Sequence, residues 1–471
     1  MAILTIHRNS ETRTAEFEPP LLLSDALTKA GILVDHPCGG RGACGKCAAE
    51  VRGVVSEPNA QEKKAGARLS CQTILLGDAE VFLPEEQEFS GSADGPDDEV
   101  FLVMAVDIGT TTLEATFFDL DTGETFHASK QNPQCSVAAD VMSRIQAALE
   151  GKLGLLQELI LNALPNAQTC DSIRAAVIVG NTAMLYFLTG KDPVRLSRAP
   201  FEADDLFGRI ENVNGIPAFL PPCMNAFVGA DITAAVLASG MCDHPETALL
   251  ADIGTNGELA LWKNGTLYVT STAAGPAFEG ATISQGSLSV TGAIDRVWIE
   301  NGTIRIHVIG DAPAKSICGS GLLDAVAVML ETGAIDESGA MDAERFPLAE
   351  NVSLLPRDVR QVQLAKSAIR AGIETLLASS GTSVSEIKTF YIAGGFGSHL
   401  SPESATAIGL IPPALAGKAV ILGNAALRGA EIMLLDSAKT PMAGQIAARS
   451  KHVDLGGNPL FNELFVENML F

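Results

Sequence analysis

The stretch FLVMAVDIGTTTLEATFFDL, residues 101–120, joins two apolar runs through an Asp-Ile-Gly-Thr turn. A second stretch, TALLADIGTNGELALWKNG at residues 247–265, has the same arrangement, and its Asp252 lies 145 residues after Asp107. A repeat at this spacing predicts two similar lobes, and the alternating strand and helix patterns from residue 100 onward are typical of α/β layers. We therefore predict one lobe at residues 100–244 and a second at residues 245–471.

Both Asp-Ile-Gly-Thr turns have the chemistry of a phosphate and metal site. A carboxylate at a strand end can hold hydrated Mg²⁺, and the backbone N–H groups and hydroxyls that follow can hold phosphate oxygens. The chain lacks the G-x4-GK[ST] phosphate loop and the dinucleotide-binding glycine motif. We predict that Asp107 and Asp252 position Mg²⁺ beside ATP in a cleft between the lobes. The predicted phosphate-binding residues are Gly109, Thr110, Thr111, Thr112, Gly254, Thr255, Asn256 and Gly257.

Two further glycine-rich stretches follow in the second predicted lobe. The first, Gly319, Ser320 and Gly321 after Cys318, precedes the apolar run 322–330, and the N-terminus of a helix there could bind an anion. The second, Gly394, Gly395, Phe396 and Gly397, follows an apolar strand at residues 389–392, and its glycines would let the backbone approach an adenine or a ribose. Each cluster alone is more often a plain turn, so the interpretation depends on their order.

The N-terminal region carries a cysteine loop, CGGRGACGKC at residues 38–47, and a fourth cysteine at Cys71. Plant-type [2Fe–2S] sites take three thiolates from one tight loop and a fourth from a later segment. The metal ligands predicted here are Cys38, Cys44, Cys47 and Cys71. A zinc site and a disulfide pair are the alternatives, although a four-cysteine zinc site prefers two separate C-x2-C pairs and the loop has one.

The region around the cysteine loop has the pattern of a compact β-grasp-like module at residues 1–84. A hairpin is predicted at residues 2–8 and 12–18, a helix at 22–30, and strands near 48–51 and 80–83. Residues 85–99, EEQEFSGSADGPDDE, contain seven acidic residues and are predicted to form an acidic flexible linker.

Composition limits the partners and the compartment. The formal net charge of −24 argues against nucleic-acid binding, because little positive charge is available to neutralise phosphates. No run reaches the ~18 to 20 apolar residues of a membrane span, and the first residues lack the apolar core of a signal peptide. The five scattered cysteines are Cys135, Cys170, Cys223, Cys242 and Cys318. They favour reduced thiols, so a cytoplasmic protein is expected.

In combination, these motifs resemble the acetate kinase, sugar kinase, heat-shock 70 and actin (ASKHA) ATPase superfamily. The N-terminal cysteine loop makes the chain similar, more specifically, to the reductive activators of corrinoid proteins. Four further stretches fit that family, and they lie at residues 180–184 (GNTAM), 199–201 (APF), 275–280 (GPAFEG) and 423–429 (GNAALRG).

The resemblance implies an N-terminal β-grasp [2Fe–2S] ferredoxin domain and a two-lobed ATPase that uses ATP to reduce Co(II) of a corrinoid protein to Co(I). It implies the cofactors [2Fe–2S], ATP and Mg²⁺, and as partners a corrinoid protein, an upstream low-potential electron donor and a homodimer mate. Glu279 is a candidate for orienting water, with a structural role at a helix end as the alternative. Two other functions stay open, namely an ATP-driven chaperone-like regulator with a redox-sensing cluster and a small-molecule kinase fused to a ferredoxin.

Overall fold

The computed structural model describes residues 1–8, 11–30, 32, 34, 42, 47–83, 101–166, 172–395 and 400–471. The predicted ligands Cys38 and Cys44, the thiol Cys170, the cleft residues Phe396 and Gly397, and the predicted linker at 85–99 lie outside the described residues.

The N-terminal module is a mixed sheet packed against a short helix. Its elements are β1 (Ala2–Arg8), β2 (Glu11–Phe17), β3 (Leu21–Leu22), α1 (Leu23–Lys29), β4 (Ala48–Val55), α2 (Ala60–Ala65), β5 (Arg68–Leu69) and β6 (Ile74–Phe82). The strand order is β2-β1-β6-β4-β5, with β3 paired to β6. Strands β1 and β6 are parallel, whereas β1 pairs with β2 and β4 with β6 in antiparallel fashion. The predicted hairpin, helix and closing strands are therefore confirmed, while β3, α2 and β5 were not predicted.

The first ATPase lobe is built on a six-stranded sheet in the order β11-β12-β10-β7-β8-β9. Its strands are β7 (Leu102–Ile108), β8 (Thr112–Asp119), β9 (Thr125–Gln131), β10 (Ile173–Gly180), β11 (Arg209–Val213) and β12 (Ile216–Leu220). Its helices are α3 (Val141–Ala147), α4 (Leu153–Ala163), α5 (Thr182–Thr189) and α6 (Ala230–Ser239).

The second ATPase lobe has a six-stranded sheet in the order β22-β21-β13-β14-β15-β23. Its strands are β13 (Ala248–Ile253), β14 (Gly257–Lys263), β15 (Thr266–Thr272), β16 (Ala293–Glu300), β17 (Thr303–Val308), β18 (Ser316–Ile317), β19 (Phe346–Pro347), β20 (Ser353–Leu354), β21 (Thr389–Ala393), β22 (Ala419–Gly423) and β23 (Ser450–His452). Its helices are α7 (Gly319–Glu331), α8 (Pro356–Ser379), α9 (Pro402–Ala407), α10 (Pro413–Ala416), α11 (Ala425–Leu435), α12 (Thr440–Ala448) and α13 (Pro459–Glu467).

The two large sheets repeat one topology, as the sequence repeat predicts. In the first lobe β7, β8 and β9 form an antiparallel meander, and β10 adds parallel to β7. In the second lobe β13, β14 and β15 form the same meander, and β21 adds parallel to β13. Each Asp-Ile-Gly-Thr turn therefore lies between the first two strands of its meander.

Helices α6 and α11 lie where the two lobes meet, and they pack against each other. Helix α11 also packs on β7 and β10 of the first lobe, although it follows β22 of the second. The crossing requires a glycine, because a Cβ placed on Gly429 would lie 2.1 Å from the carbonyl oxygen of Ala234. One apolar core contains residues of the first lobe and of one face of the second sheet.

Strand β13 shows how the second sheet separates two cores. Successive side chains of a strand point to opposite faces of its sheet. Ala248 and Leu250 face the core shared with the first lobe, whereas Leu249 and Ala251 face a second core, which the long helix α8 covers. Within the described parts of the chain, no helix is long and apolar enough to cross a membrane.

Candidate functional site

A cleft of about 310 Å³ lies between the two ATPase lobes. Both Asp-Ile-Gly-Thr turns line it, which brings together segments that are 145 residues apart in the sequence. The predicted residues in its wall are Asp107, Gly109, Thr110, Thr111, Thr112, Asp252, Gly254, Thr255, Asn256, Glu279, Gly319, Ser320, Gly394 and Gly395.

Two predicted residues, Gly257 and Gly321, are not part of the cleft wall. At both positions the absence of a side chain lets neighbouring groups pack closely. A Cβ on Gly257 would lie 2.9 Å from Ile369 of α8, and a Cβ on Gly321 would lie 2.2 Å from the carbonyl oxygen of Ile294. Gly394, in contrast, approaches the cleft's own carboxylate. A Cβ there would lie 2.8 Å from Asp252 Oδ1, and its φ of 98° is rarely adopted by other residues.

A cluster of carboxyl groups forms the acidic part of the cleft. Burial, with Asp231 and Glu114 nearby, raises the pKa of Asp107 to about 8. Burial, with Asp107 and Glu279 nearby, raises the pKa of Asp252 to about 7. Burial and the neighbouring Asp252 likewise raise the pKa of Asp231 to about 7. Carboxylates crowded in this way favour the binding of a proton or a cation.

Asn424, at the start of α11, bridges the acidic cluster from the far end of the chain. Its side-chain amide donates to Asp107 Oδ2 at 3.0 Å and to Glu114 Oε2 at 2.8 Å. Its oxygen accepts from the backbone N–H of Leu427 and caps the helix. The same side chain therefore caps the N-terminus of α11 and orients the carboxylate at the end of β7.

Two buried polar side chains hold the first predicted phosphate loop, residues 107–112, from the side away from the cleft. Asn132 donates to the carbonyl oxygen of Gly109 at 2.8 Å, and Arg144 donates to that of Thr110 at 2.7 Å. The guanidinium of Arg144 is fully buried and also donates to the carbonyl oxygen of Ala138 at 2.9 Å. These contacts hold the loop's carbonyl groups away from the cleft and place a positive charge behind a site suited to anions.

Glu279 joins the two predicted phosphate loops, residues 107–112 and 252–257. Its Oε2 accepts from the hydroxyl of Thr111 at 2.7 Å and from the hydroxyl of Thr255 at 2.6 Å. Its Oε1 accepts from the backbone N–H of Thr255 at 3.0 Å. The two threonine hydroxyl oxygens themselves lie 3.2 Å apart, so the loops meet at this carboxylate.

The cleft also contains residues that the sequence analysis did not identify. Asp231 lies in the first turn of α6, Glu258 directly follows the second Asp-Ile-Gly-Thr turn and its Asn-Gly pair, and Asn181 caps α5. The usable signal for Asp231 was an aspartate two residues after Gly229, in the first turn of an apolar helix.

In the N-terminal module, two of the four predicted cluster ligands lie side by side. Cys47 Sγ and Cys71 Sγ are 3.3 Å apart, and both side chains are buried. The separation is too long for a disulfide, and it is near the roughly 3.7 Å between two thiolates on one tetrahedral metal with bonds of about 2.3 Å. This donor pair fits the predicted [2Fe–2S] cluster.

Glu62, a buried carboxylate in α2, organises the segment that carries Cys71. It accepts from the hydroxyl of Thr73 at 2.7 Å, from the backbone N–H of Leu69 at 3.2 Å and from Arg68 Nε at 3.0 Å. Burial would raise the pKa of Glu62, but the hydrogen bonds from Thr73 and from backbone N–H groups, with the nearby Arg68, outweigh it and lower the pKa. The turn that carries Cys71 is thus tied to a charged, structurally fixed side chain.

Models of three protein-family regions match this chain in order. A model of the 2Fe-2S iron–sulfur cluster binding domain matches residues 6–76, which supports the cluster assignment. A model of the RACo middle region matches residues 102–244, and a model of the C-terminal ASKHA domain of RACo matches residues 246–471.

Relatives with known names match most of the chain. The corrinoid activation enzyme RamQ of Eubacterium limosum is 33% identical over 417 residues, which are 78% of this chain and 70% of RamQ. The Co(II) methylated amine-specific corrinoid protein reductase of Methanosarcina barkeri is 25% identical over 410 residues, which are 77% of this chain and 76% of that reductase.

A solved structure, the reductive activator for a corrinoid, iron-sulfur protein, covers 100% of this chain and 98% of its own, with a TM-score of 0.71 and 25% identity. The match confirms the predicted fold class, a ferredoxin domain followed by a two-lobed ASKHA domain. The paired thiols, the interlobe cleft and the chain-long similarity lead to one assignment: this protein belongs to the family of reductive activators of corrinoid proteins.

Proposed function

We propose that this protein uses ATP to reduce the cobalt of a corrinoid protein from Co(II) to Co(I). The observation that carries the proposal is that one chain holds a buried thiol pair fit for a cluster and a cleft lined by both Asp-Ile-Gly-Thr turns. The similarity to RamQ over 78% of the chain supports it, because both features lie on a chain that matches a corrinoid activation enzyme.

The electron balance is simple. A [2Fe–2S] cluster held by Cys38, Cys44, Cys47 and Cys71 would supply one electron at a potential of about −400 mV. Co(II) would be the one-electron acceptor, and a low-potential donor would replace the electron. ATP is hydrolysed to ADP and phosphate in a separate step in the cleft. ATP can favour the reduction only through a difference in affinity between two states of the complex, so the lobes must differ between those states.

The roles proposed for the cleft residues follow from their donor chemistry. Asp107 and Asp252 would hold hydrated Mg²⁺, while Thr110, Thr111, Thr112, Thr255 and Asn256 would hold phosphate oxygens. Among the described side chains, no group of three or more His, Cys, Asp or Glu is arranged as a ready metal site. Magnesium commonly binds through one or two carboxylates, with water and substrate phosphates completing the shell, so this arrangement suits it.

The remaining parts of the proposal concern organisation and partners. Residues 1–84 would form the electron-transfer domain, residues 85–99 the connection, and residues 100–244 and 245–471 the two lobes. We further propose a cytoplasmic protein that docks a low-potential donor and a corrinoid protein in turn, and that forms homodimers.

The decisive test is anaerobic reduction of a purified corrinoid protein. With a chemical reductant, this protein and Mg·ATP, the Co(I) absorbance should appear, and it should be absent when ATP is omitted. Release of phosphate without any Co(I) would favour a chaperone-like regulator. Transfer of phosphate to a small molecule would favour a kinase.

Loss of either cleft aspartate should stop ATP hydrolysis while sparing the cluster. Asp107→Asn or Asp252→Asn removes a charge proposed to hold the metal, so phosphate release should fall by roughly 100-fold or more, a loss of several kcal/mol. The visible spectrum of the cluster should stay unchanged. Asp243→Asn, an exposed aspartate outside the cleft lining, is the matched control. Hydrolysis at the wild-type rate in either cleft variant would place the nucleotide site elsewhere.

A further inference from the structure

The two loops proposed to bind phosphate already hold an anionic group of the protein itself, the carboxylate of Glu279. Three donors converge on the Glu279 carboxylate: the hydroxyl of Thr111, the hydroxyl of Thr255 and the backbone N–H of Thr255. One donor comes from the first lobe and two come from the second. A carboxylate that accepts several hydrogen bonds is held strongly, since charge-assisted bonds are about twice as strong as neutral ones.

The same donors are those proposed to hold the phosphates of ATP. Backbone N–H groups and hydroxyls at such turns bind phosphate and carboxylate oxygens with the same geometry. Glu279 and a terminal phosphate therefore cannot use Thr111 and Thr255 at the same time.

The fold fixes the backbone of Glu279 beside the second loop. The turn at residues 275–280 is tied to the second loop, because the N–H of Gly275 donates to the carbonyl oxygen of Thr255 at 2.8 Å. Phe278, next to Glu279, is 1% exposed in the core that α8 covers. At the other end of the turn, a Cβ on Gly280 would lie 2.5 Å from the backbone nitrogen of Ser287. These contacts hold the backbone of Glu279 beside the second loop, within reach of the donors of both loops.

We propose that Glu279 acts as a stand-in for the terminal phosphates of ATP. Without nucleotide its carboxylate holds the two loops together, and ATP displaces the carboxylate when it binds. The proposal rests on the nucleotide function proposed above. Displacement exchanges a contact within the protein for contacts to ATP, and it releases the Glu279 carboxylate next to Asp252. In that released state Glu279 becomes able to orient water, which the residue cannot do while three donors hold it.

The measurable consequence is a lowered affinity for ATP. When only a fraction of molecules has the site uncovered, the apparent dissociation constant is the intrinsic one divided by that fraction. A change that breaks the contacts of Glu279 should therefore tighten binding of the non-hydrolysable analogue Mg·AMPPNP.

The test compares Glu279→Gln, Glu279→Asp and the control Glu350→Gln by calorimetric titration with Mg·AMPPNP. Glu350 is exposed and lies outside the cleft lining, so its change removes one negative charge without touching the loops. The aspartate variant keeps the charge of residue 279 but is one methylene too short for both threonines. We expect both Glu279 variants to bind at least fivefold more tightly than the wild type, and Glu350→Gln to match the wild type.

Hydrogen exchange at the Thr255 amide gives a second readout. The amide should be protected in the nucleotide-free wild type, unprotected in Glu279→Asp, and protected again in that variant once Mg·AMPPNP is added. A purely structural role for Glu279 would leave the amide unprotected in the variant even with AMPPNP.

The outcomes separate the two proposals. Unchanged or weaker AMPPNP binding in both Glu279 variants would overturn the stand-in role. Tighter binding in Glu279→Gln alone would overturn it too, because charge rather than contact would then be the cause. Absence of AMPPNP binding to the wild type would instead overturn the ATP function, and the stand-in role with it.

Discussion

At the scale of single residues, the raised pKa values of the cleft carboxyl groups let them hold protons near neutral pH. Asp107, Asp231 and Asp252 have pKa values raised to about 7 or 8, because each is buried beside other carboxyl groups. Near neutral pH, part of this cluster is protonated when no cation is present. Binding of Mg²⁺ with a nucleotide should therefore release protons, as metal binding to protonated ligands does.

The metal-free protein should lose stability as the pH rises from 6 to 8.5. A carboxyl with a raised pKa in the folded state keeps a proton that the unfolded chain has already released. Its contribution to the free energy of unfolding is therefore complete below about pH 4 and is lost as the pH rises through 7–8. Thermal unfolding in EDTA at the two pH values measures the loss. Asp231→Asn should reduce that loss by about 1 kcal/mol or more, and an equal loss in this variant would contradict the assignment.

The cysteines should divide into two groups by their effect on the cluster. Ala at position 38, 44, 47 or 71 should abolish the visible [2Fe–2S] spectrum, since each of these residues is a predicted ligand and two of them form the buried pair. Ala at the scattered positions 135, 170, 223, 242 and 318 should leave the spectrum intact, and an essential role for one of these would refute the ligand set. Iron content of the purified variants is the measurement that accompanies the spectrum.

At the scale of elements, the crossing of α6 and α11 is the contact that joins the lobes. The side chain of Thr116 in β8 also donates to Glu431 of α11 at 2.5 Å, so the helix is fixed to the first sheet by a polar contact as well. The close approach at Gly429 and Ala234 makes this crossing sensitive to a single methyl group.

Gly429→Ala should destabilise the ATPase lobes by about 1 to 3 kcal/mol, because the added Cβ overpacks the crossing. The matched control is Gly444→Ala in the exposed face of α12, where a Cβ meets no atom within 4 Å. That change should instead stabilise the protein by about 0.4 to 1 kcal/mol. Denaturant unfolding of both variants checks the pair, and equal effects would show that α6 and α11 do not cross so closely in solution.

The elements that the sequence predicts well are those with a local signal. The apolar strands before Asp107 and Asp252 are confirmed, because a buried strand followed by a Gly-Thr turn is readable from neighbouring residues. Asn424 stood out only as part of the stretch 423–429, and nothing local predicted its contacts, since its partners Asp107 and Glu114 lie more than 300 residues away. The packing of α11 on the first lobe was missed for the same reason.

At the scale of the whole molecule, the described residues form separate apolar cores in the N-terminal module and in the ATPase lobes. A ligand that binds one folded part stabilises that part by mass action. Mg·AMPPNP at 100 times its dissociation constant should stabilise the lobes by about 2.7 kcal/mol and should leave the temperature at which the cluster absorbance is lost unchanged. Calorimetry and absorbance in parallel scans measure the two events, and a joint shift would show that the module and the lobes unfold together.

The packing of α11 on the first lobe should also affect how the chain folds during its synthesis on the ribosome. Glu431 and its partner Thr116 are separated by 315 residues, so the first lobe emerges long before the helix that completes its core has been translated. The apolar face of the first lobe, including the surfaces of β7 and β10 that α11 covers, therefore stays uncovered until α11 has been translated. Nascent chains stopped at residue 244 should therefore bind chaperones and aggregate, whereas chains extended past α12 should reach a protease-resistant form.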